Sequence, residues 1–150
     1  MIYLDTSILV AYYCPEALSV EAERLVRARV RPSISDLTEV ELVSAVSRKI
    51  RASELGLREA GRIVGQFLAH LEGDLYHRLP LERRHYKLAR DWMAQLTTPL
   101  RSLDALHLAV AAVEGLPFAT ADRALARSGA DLGLRVIPVG RRRRLRPDAS

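Results

Sequence analysis

The chain has 150 residues, 49% of them hydrophobic, a single cysteine and a formal charge of +5. That length buries one good core but not two ordinary ones, the apolar runs are far too short to span a bilayer, and a lone Cys14, read as a small apolar residue, excludes an internal disulfide and a cysteine-rich zinc site. Residues 141–150 hold five arginines and one aspartate, which leaves +1 for residues 1–140, and 21 of the 23 basic residues are arginine, whose planar fork matches phosphate oxygens.

These features predict one domain over residues 1–140 and a flexible, arginine-rich tail over 141–150. The opening Met1-Ile2-Tyr3-Leu4 lacks a basic-then-apolar leader, so a cytoplasmic protein without a membrane anchor is expected. Residues 2–4 form a short apolar strand that meets Asp5 at a sharp turn, and 7–13 continue as a helix. Leu18, Ala22, Leu25 and Val26 recur at helical spacing and predict a second helix to about residue 30, ended by Pro32. Ser33-Ile34-Ser35 reads as a strand, and Ser35 or Asp36 as the cap of a helix over 37–52.

From Leu57, the residues Ala60, Ile63, Val64, Phe67, Leu68 and Leu71 give the cleanest amphipathic pattern, stopped at Gly73. A strand over 75–79 follows, then a helix over 82–96 with Tyr86, Ala89, Met93 and Leu96 on one side, broken by Thr97-Thr98-Pro99. Ser102 is the expected N-cap of a helix over 103–114. A strand over 117–120, a short helix over 121–127 and a strand over 134–139 complete the order. Strands and helices in near alternation predict a three-layer α/β/α architecture with a central parallel sheet of four to five strands.

In open parallel sheets the ligand crevice lies beyond the carboxyl ends of the strands. Asp5 and Asp122 follow strands directly, Asp104 opens a helix and Glu41 lies near the start of another, so these four acids are placed to converge on one edge. Carboxylates brought together must take up protons or share a cation. Hard oxygen donors with no cysteine point to Mg2+ or Mn2+, and such an ion activates water and neutralises a phosphodiester; paired ions stand about 3.5 to 4 Å apart.

Each acid also has a plain structural reading. Asp5 serves equally well as an N-cap, and Asp104 and Asp122 as first-turn charges on helix dipoles. Glu41 shares a polar arc with Ser44, Arg48 and Arg51, while Glu39 falls between Val46 and Ile50 on the apolar side, so periodicity alone names Glu39 as the buried acid.

The motifs Ile2-Tyr3-Leu4-Asp5-Thr6-Ser7, Ile34-Ser35-Asp36-Leu37-Thr38 leading to Glu41-Leu42, Leu103-Asp104-Ala105-Leu106-His107-Leu108-Ala109 and Thr120-Ala121-Asp122-Arg123-Ala124-Leu125, taken in order, resemble PIN-domain ribonucleases and in particular VapC-type toxins. The resemblance covers residues 2 to about 139. It implies that Asp5, Glu41, Asp104 and Asp122 form a catalytic metal site, and it prefers Glu41 over Glu39. It also implies that Thr6, Ser7 and Thr120 orient the carboxylates or reach the phosphate.

The implied reaction is hydrolysis of RNA by activated water in line with the leaving 3′ oxygen, giving 5′-phosphate ends. The implied partners are RNA, a cognate antitoxin protein that enters the groove, and a second copy of the chain. A catalytically weak PIN-like RNA-binding or regulatory module is the alternative. A doubly wound phosphatase or nucleotide-binding domain lacks support: no Gly-rich phosphate loop is present, and Ser7 stands where a second aspartate belongs. His107, one turn from Asp104, reads as a helix-surface residue. His70, His77 and His85 form no zinc spacing. Arg141 to Arg144 suit salt-sensitive phosphate contacts.

Overall fold

A computed structural model describes residues 1–15 and 19–140. Leu18, placed above at the head of the second helix, and the arginine-rich tail lie outside the described residues. The elements in order are β1 (Tyr3–Leu4), α1 (Thr6–Tyr13), α2 (Ser19–Val26), β2 (Ser33–Ser35), α3 (Asp36–Arg51), α4 (Leu57–Glu72), β3 (His77–Leu79), α5 (Arg83–Met93), α6 (Ser102–Val113), β4 (Phe118–Thr120), α7 (Arg123–Asp131) and β5 (Val136–Pro138).

The five strands form one sheet in the order β3-β2-β1-β4-β5, and every pairing is parallel. Parallel neighbours require crossovers, and the helices supply them. The chain winds outward from β1 to β3, then returns to place β4 on the other side of β1. The order therefore reverses between β1 and β4, which is the switch point where a crevice opens beyond the strand ends.

Successive residues of a strand face opposite sides of the sheet, and β1 shows this directly. Leu4 joins the core packed with Ile8 and Leu9 of α1, Leu42 of α3 and Phe67 of α4. Tyr3 joins the other core, with Leu108 and Val110 of α6, Phe118 of β4 and Leu125 of α7. Tyr3 and Phe118 stack across the sheet with ring centroids 5.9 Å apart. Two cores on the two sides of one sheet make the three layers expected from the alternation of elements. Among the described residues no helix is long and apolar enough to cross a membrane.

Several boundaries depart from the pattern. α2 stops at Val26 rather than near residue 30, because Val26 is the last of its residues to reach the core and Val30 is 56% exposed. α5 ends at Met93; Leu96 lies past it with a positive φ of 58° and is exposed. The inward face of α5 therefore runs through His85 and Ala89, with Leu88, Trp92 and Met93 partly buried, while Tyr86 turns outward. The N-cap position of α6 is Arg101, and Ser102 is already its first residue. α7 starts at Arg123, later than expected, because the Asp122 carboxylate caps it by accepting from the Leu125 N–H at 3.0 Å.

Candidate active site

The carboxyl ends of β1 and β4 open onto a groove of about 1420 Å³ lined by Asp5, Glu41, Asp104 and Asp122 among others. Each acid arrives on a different element: Asp5 at the β1–α1 turn, Glu41 in the second turn of α3, Asp104 in the first turn of α6 and Asp122 at the head of α7. Thr6 and Ser7 also line it, and Thr120 reaches it through hydrogen bonds to Asp5 and Asp122. At roughly 300–1000 Å³, small-molecule pockets are smaller than this open groove.

Asp5 has the backbone of an N-cap, yet its carboxylate makes no capping bond. It is 6% exposed and accepts instead from Ser7 Oγ at 2.7 Å and Thr120 Oγ1 at 2.9 Å, both on Oδ2. The two hydroxyls are held in turn by the backbone. Ser7 Oγ accepts from the Ala121 N–H and Thr120 Oγ1 from the Asp122 N–H, each at 3.0 Å. Asp5 is thus aimed by the β4–α7 turn, which also carries Asp122.

Asp104 is half-buried, and its carboxyl is pushed above the usual range, first by burial and then by the charges of Asp5 and Asp122, with Glu41 adding to them and His107 opposing. Burial also pushes Glu41 up, but the hydrogen bond and charge of His107, the hydroxyl of Thr6 and the charge of Arg48 outweigh it and bring the carboxyl below its ordinary value.

Glu39 and Glu41 point different ways. Glu41 accepts from Thr6 Oγ1 at 3.1 Å, meets Nε2 of His107 and lines the groove. Glu39 reaches across to Arg78 on β3, with Oε1 2.7 Å from one guanidinium nitrogen. Periodicity named Glu39 as the buried acid, yet the two side chains are nearly equally exposed, 27% for Glu39 and 24% for Glu41, and what separates them is that Arg78 holds Glu39 away while Glu41 lines the groove.

His107 is not a surface residue: it is 1% exposed, with Nδ1 2.6 Å from the hydroxyl of the fully buried Tyr3. One sequence signal was available. His107 is the single polar residue in the buried run Ala105, Leu106, Leu108, Ala109, Val110 and Ala111, and an apolar run that interrupts itself with a histidine has a partner for it. Arg48, Arg101 and Arg123 also line the groove beside the acids, which periodicity alone did not bring together.

The family model of the PIN domain matches residues 2–130. The chain belongs to the PIN-domain family. Solved structures share this PIN fold at low identity. VapC20 of Mycobacterium tuberculosis, described as a toxin that cleaves the sarcin-ricin loop, aligns with a TM-score of 0.67 and 18% identity over 89% of this chain and 96% of its own. VapBC2 of Rickettsia felis, bound to a DNA fragment from its promoter, gives 0.66 and 18% over 92% and 98%. A toxin–antitoxin complex from Klebsiella pneumoniae gives 0.66 and 15% over 91% and 96%. A comparison with the curated proteins finds no match in sequence.

The donor set of this PIN domain suits a hard divalent cation: carboxylate oxygens on one groove, with the charges of Asp5 and Asp122 helping to raise the Asp104 carboxyl, hydroxyls beside them and no thiolate. Among the described residues no three histidine, cysteine, aspartate or glutamate side chains form a ready-made metal cage.

Proposed function

We propose that this PIN domain is a divalent-metal-dependent endoribonuclease and the toxin of a toxin–antitoxin pair. The observation that carries the reading is the convergence of Asp5, Glu41, Asp104 and Asp122 from four elements on one groove at the switch point. The toxin role is supported by the fold shared with VapC20, described as a sarcin-ricin loop cleaving toxin, and with toxin–antitoxin complexes. A groove with acids at its centre and Arg48, Arg101 and Arg123 along it suits a polyanion whose flanking phosphates meet guanidinium groups.

In this reading Asp5, Asp104 and Asp122 hold Mg2+ or Mn2+, with Glu41 as a fourth carboxylate. When bound, the ion supplies an activated water and offsets charge on the cleaved phosphodiester. The chain itself supplies position. Ser7 and Thr120 fix Asp5 before any substrate arrives, so little reorganisation is left for the reaction. Thr6, between Asp5 and Glu41, keeps the glutamate at the groove wall through its hydroxyl. A homodimer suits the valines that α3 leaves outside, Val40 at 69% and Val43 at 41% exposure. An antitoxin segment would occupy the same groove.

Cleavage of a mixed RNA pool by the purified chain tests the reading. Activity is expected with Mg2+ or Mn2+ and lost with a chelator, and Asp5→Asn should lower it by more than about 100-fold, beyond what loss of a group behind a metal ligand costs. Chelator-resistant cleavage that survives Asp5→Asn would sink the mechanism. RNA binding with no cleavage under any of these conditions would favour the weak or regulatory module instead.

A further inference from the structure

The inner side of Glu41 is held by a buried polar chain that hydrophobic packing does not require. Glu41 Oε1 meets His107 Nε2, and Nδ1 of the same ring lies 2.6 Å from Tyr3 Oη. Tyr3 Oη lies in turn 2.8 Å from Ser35 Oγ. Tyr3 is fully buried, and His107 and Ser35 are each 1% exposed. A leucine at 107 would match the residues around it. Burying an imidazole and a phenol without partners is costly, and the hydrogen bonds between them offset that cost.

The direction of these bonds follows from donor inventory. An ionised Glu41 only accepts, so Nε2 carries the proton between them whether the ring is neutral or charged. A neutral ring leaves Nδ1 as an acceptor for the Tyr3 hydroxyl, whose oxygen takes the Ser35 proton; a charged ring donates to Tyr3, and the two hydroxyls turn. In both cases the link to Glu41 has the same donor.

The residues of this chain come from the elements that carry the acids. Tyr3 stands two residues before Asp5 on β1, His107 three residues after Asp104 on α6, and Ser35 is the N-cap of α3, the helix of Glu41. We propose that His107, backed by Tyr3, is a positioning residue for the Glu41 carboxylate, and that it sets the affinity of the groove for a divalent cation by fixing where the fourth acid stands. The proposal rests on reading the groove as a cation site, and its test separates the two.

Mn2+ is titrated calorimetrically into the full chain and its variants. His107→Leu should weaken binding by about 10-fold or more, the size seen when a group orienting a metal ligand is lost. His107→Gln, whose amide still donates, should recover most of that, and Tyr3→Phe should cost less than His107→Leu. In a Glu41→Gln background, His107→Leu should add nothing further. In the metal-free protein, nitrogen NMR of the ring should show a protonated Nε2, and Tyr3→Phe should move the Nδ1 resonance.

Mn2+ binding that needs Asp5 but is unchanged in folded His107→Leu overturns the positioning role alone. So does equal loss in the leucine and glutamine variants, an additive loss with Glu41→Gln, or an unprotonated Nε2. A wild-type chain that binds no Mn2+ overturns both the cation-site reading and this one. If His107→Leu fails to fold, Tyr3→Phe and His107→Gln carry the same comparison.

Discussion

His85 on α5 and His107 on α6 are both 1% exposed, and each sets its Nε2 against a glutamate, Glu114 for one and Glu41 for the other. The far nitrogens differ. His85 Nδ1 accepts from the Glu82 N–H at 3.0 Å and closes the start of α5, whereas His107 Nδ1 faces the hydroxyl of Tyr3. The glutamates differ more. Glu114 is also held by Arg84 at 2.6 Å, which makes it part of a clamp between α5 and α6. Glu41 lines a groove with three aspartates. Burial and partner type are the same in the two pairs, so neither marks a functional histidine; what lies beyond the carboxylate does.

The largest expected effect that separates the two pairs is metal-dependent stability. At 100 times its Kd, Mg2+ or Mn2+ should stabilise the fold by about 2.7 kcal/mol, a rise in Tm of about 5–10 °C for a chain of this size. The rise should reverse with chelator, vanish in Asp5→Asn and persist in His85→Leu, as followed by scanning calorimetry. Next in size, His85→Leu should itself cost about 2 kcal/mol, because the Glu82 N–H loses its acceptor and Glu114 keeps only Arg84. Urea unfolding reads this loss, and Mn2+ affinity should stay at the wild-type value.

A smaller effect sharpens the contrast between crowded and paired acids. The Asp104 carboxyl is raised by burial and by Asp5 and Asp122, so the folded state binds its proton more tightly than the unfolded chain. Its destabilising repulsion is then full above the folded value and fades as pH falls through that value towards the unfolded one. Without metal, Asp104→Asn should raise Tm at neutral pH by about 1–3 °C, after allowance for solvent screening of a half-exposed group. The gain should disappear in acid and, at neutral pH, when Mg2+ offsets the repulsion in the wild type. Glu41 has the opposite sign: its value is lowered, so the stability from its His107 link is present at neutral pH and lost as pH falls through the folded value.

The smallest effect belongs to Glu39. Its partner Arg78 is 49% exposed and Glu39 27% exposed, and pairs of that kind contribute about 0.2–1 kcal/mol. Glu39→Gln should therefore shift the urea midpoint little and leave RNA cleavage unchanged, while Glu41→Gln should depress cleavage. A large loss of cleavage in Glu39→Gln would break the distinction between the two glutamates.

Much of the fold is legible in residue order. The 3.6-residue spacing of Ala60, Ile63, Phe67 and Leu71 and the strand–helix alternation lead to α4, to the parallel sheet and to its layers. Boundaries were less legible where local pattern and tertiary need diverge, as at Leu96, which continues a helical stripe in sequence but lies beyond the end of α5. Asp5 and Asp122 were findable from their places after strands. The inward histidine was legible only as an anomaly in an apolar run, and its partner Tyr3 not at all, since a tyrosine in a short apolar strand packs as any aromatic does.

The sequence alone determined which acids stand at element ends and that they share the carboxyl edge of a parallel sheet, because strand direction and crossover rules allow little else. The resemblance already preferred Glu41 over Glu39, but only the tertiary structure shows which of the two lines the groove and that His107 is buried. Those choices turn on which side chains other elements bring within hydrogen-bond reach: Arg78 from β3 for Glu39, Thr6 and His107 from α1 and α6 for Glu41. Periodicity describes one helix at a time and carries no record of its neighbours.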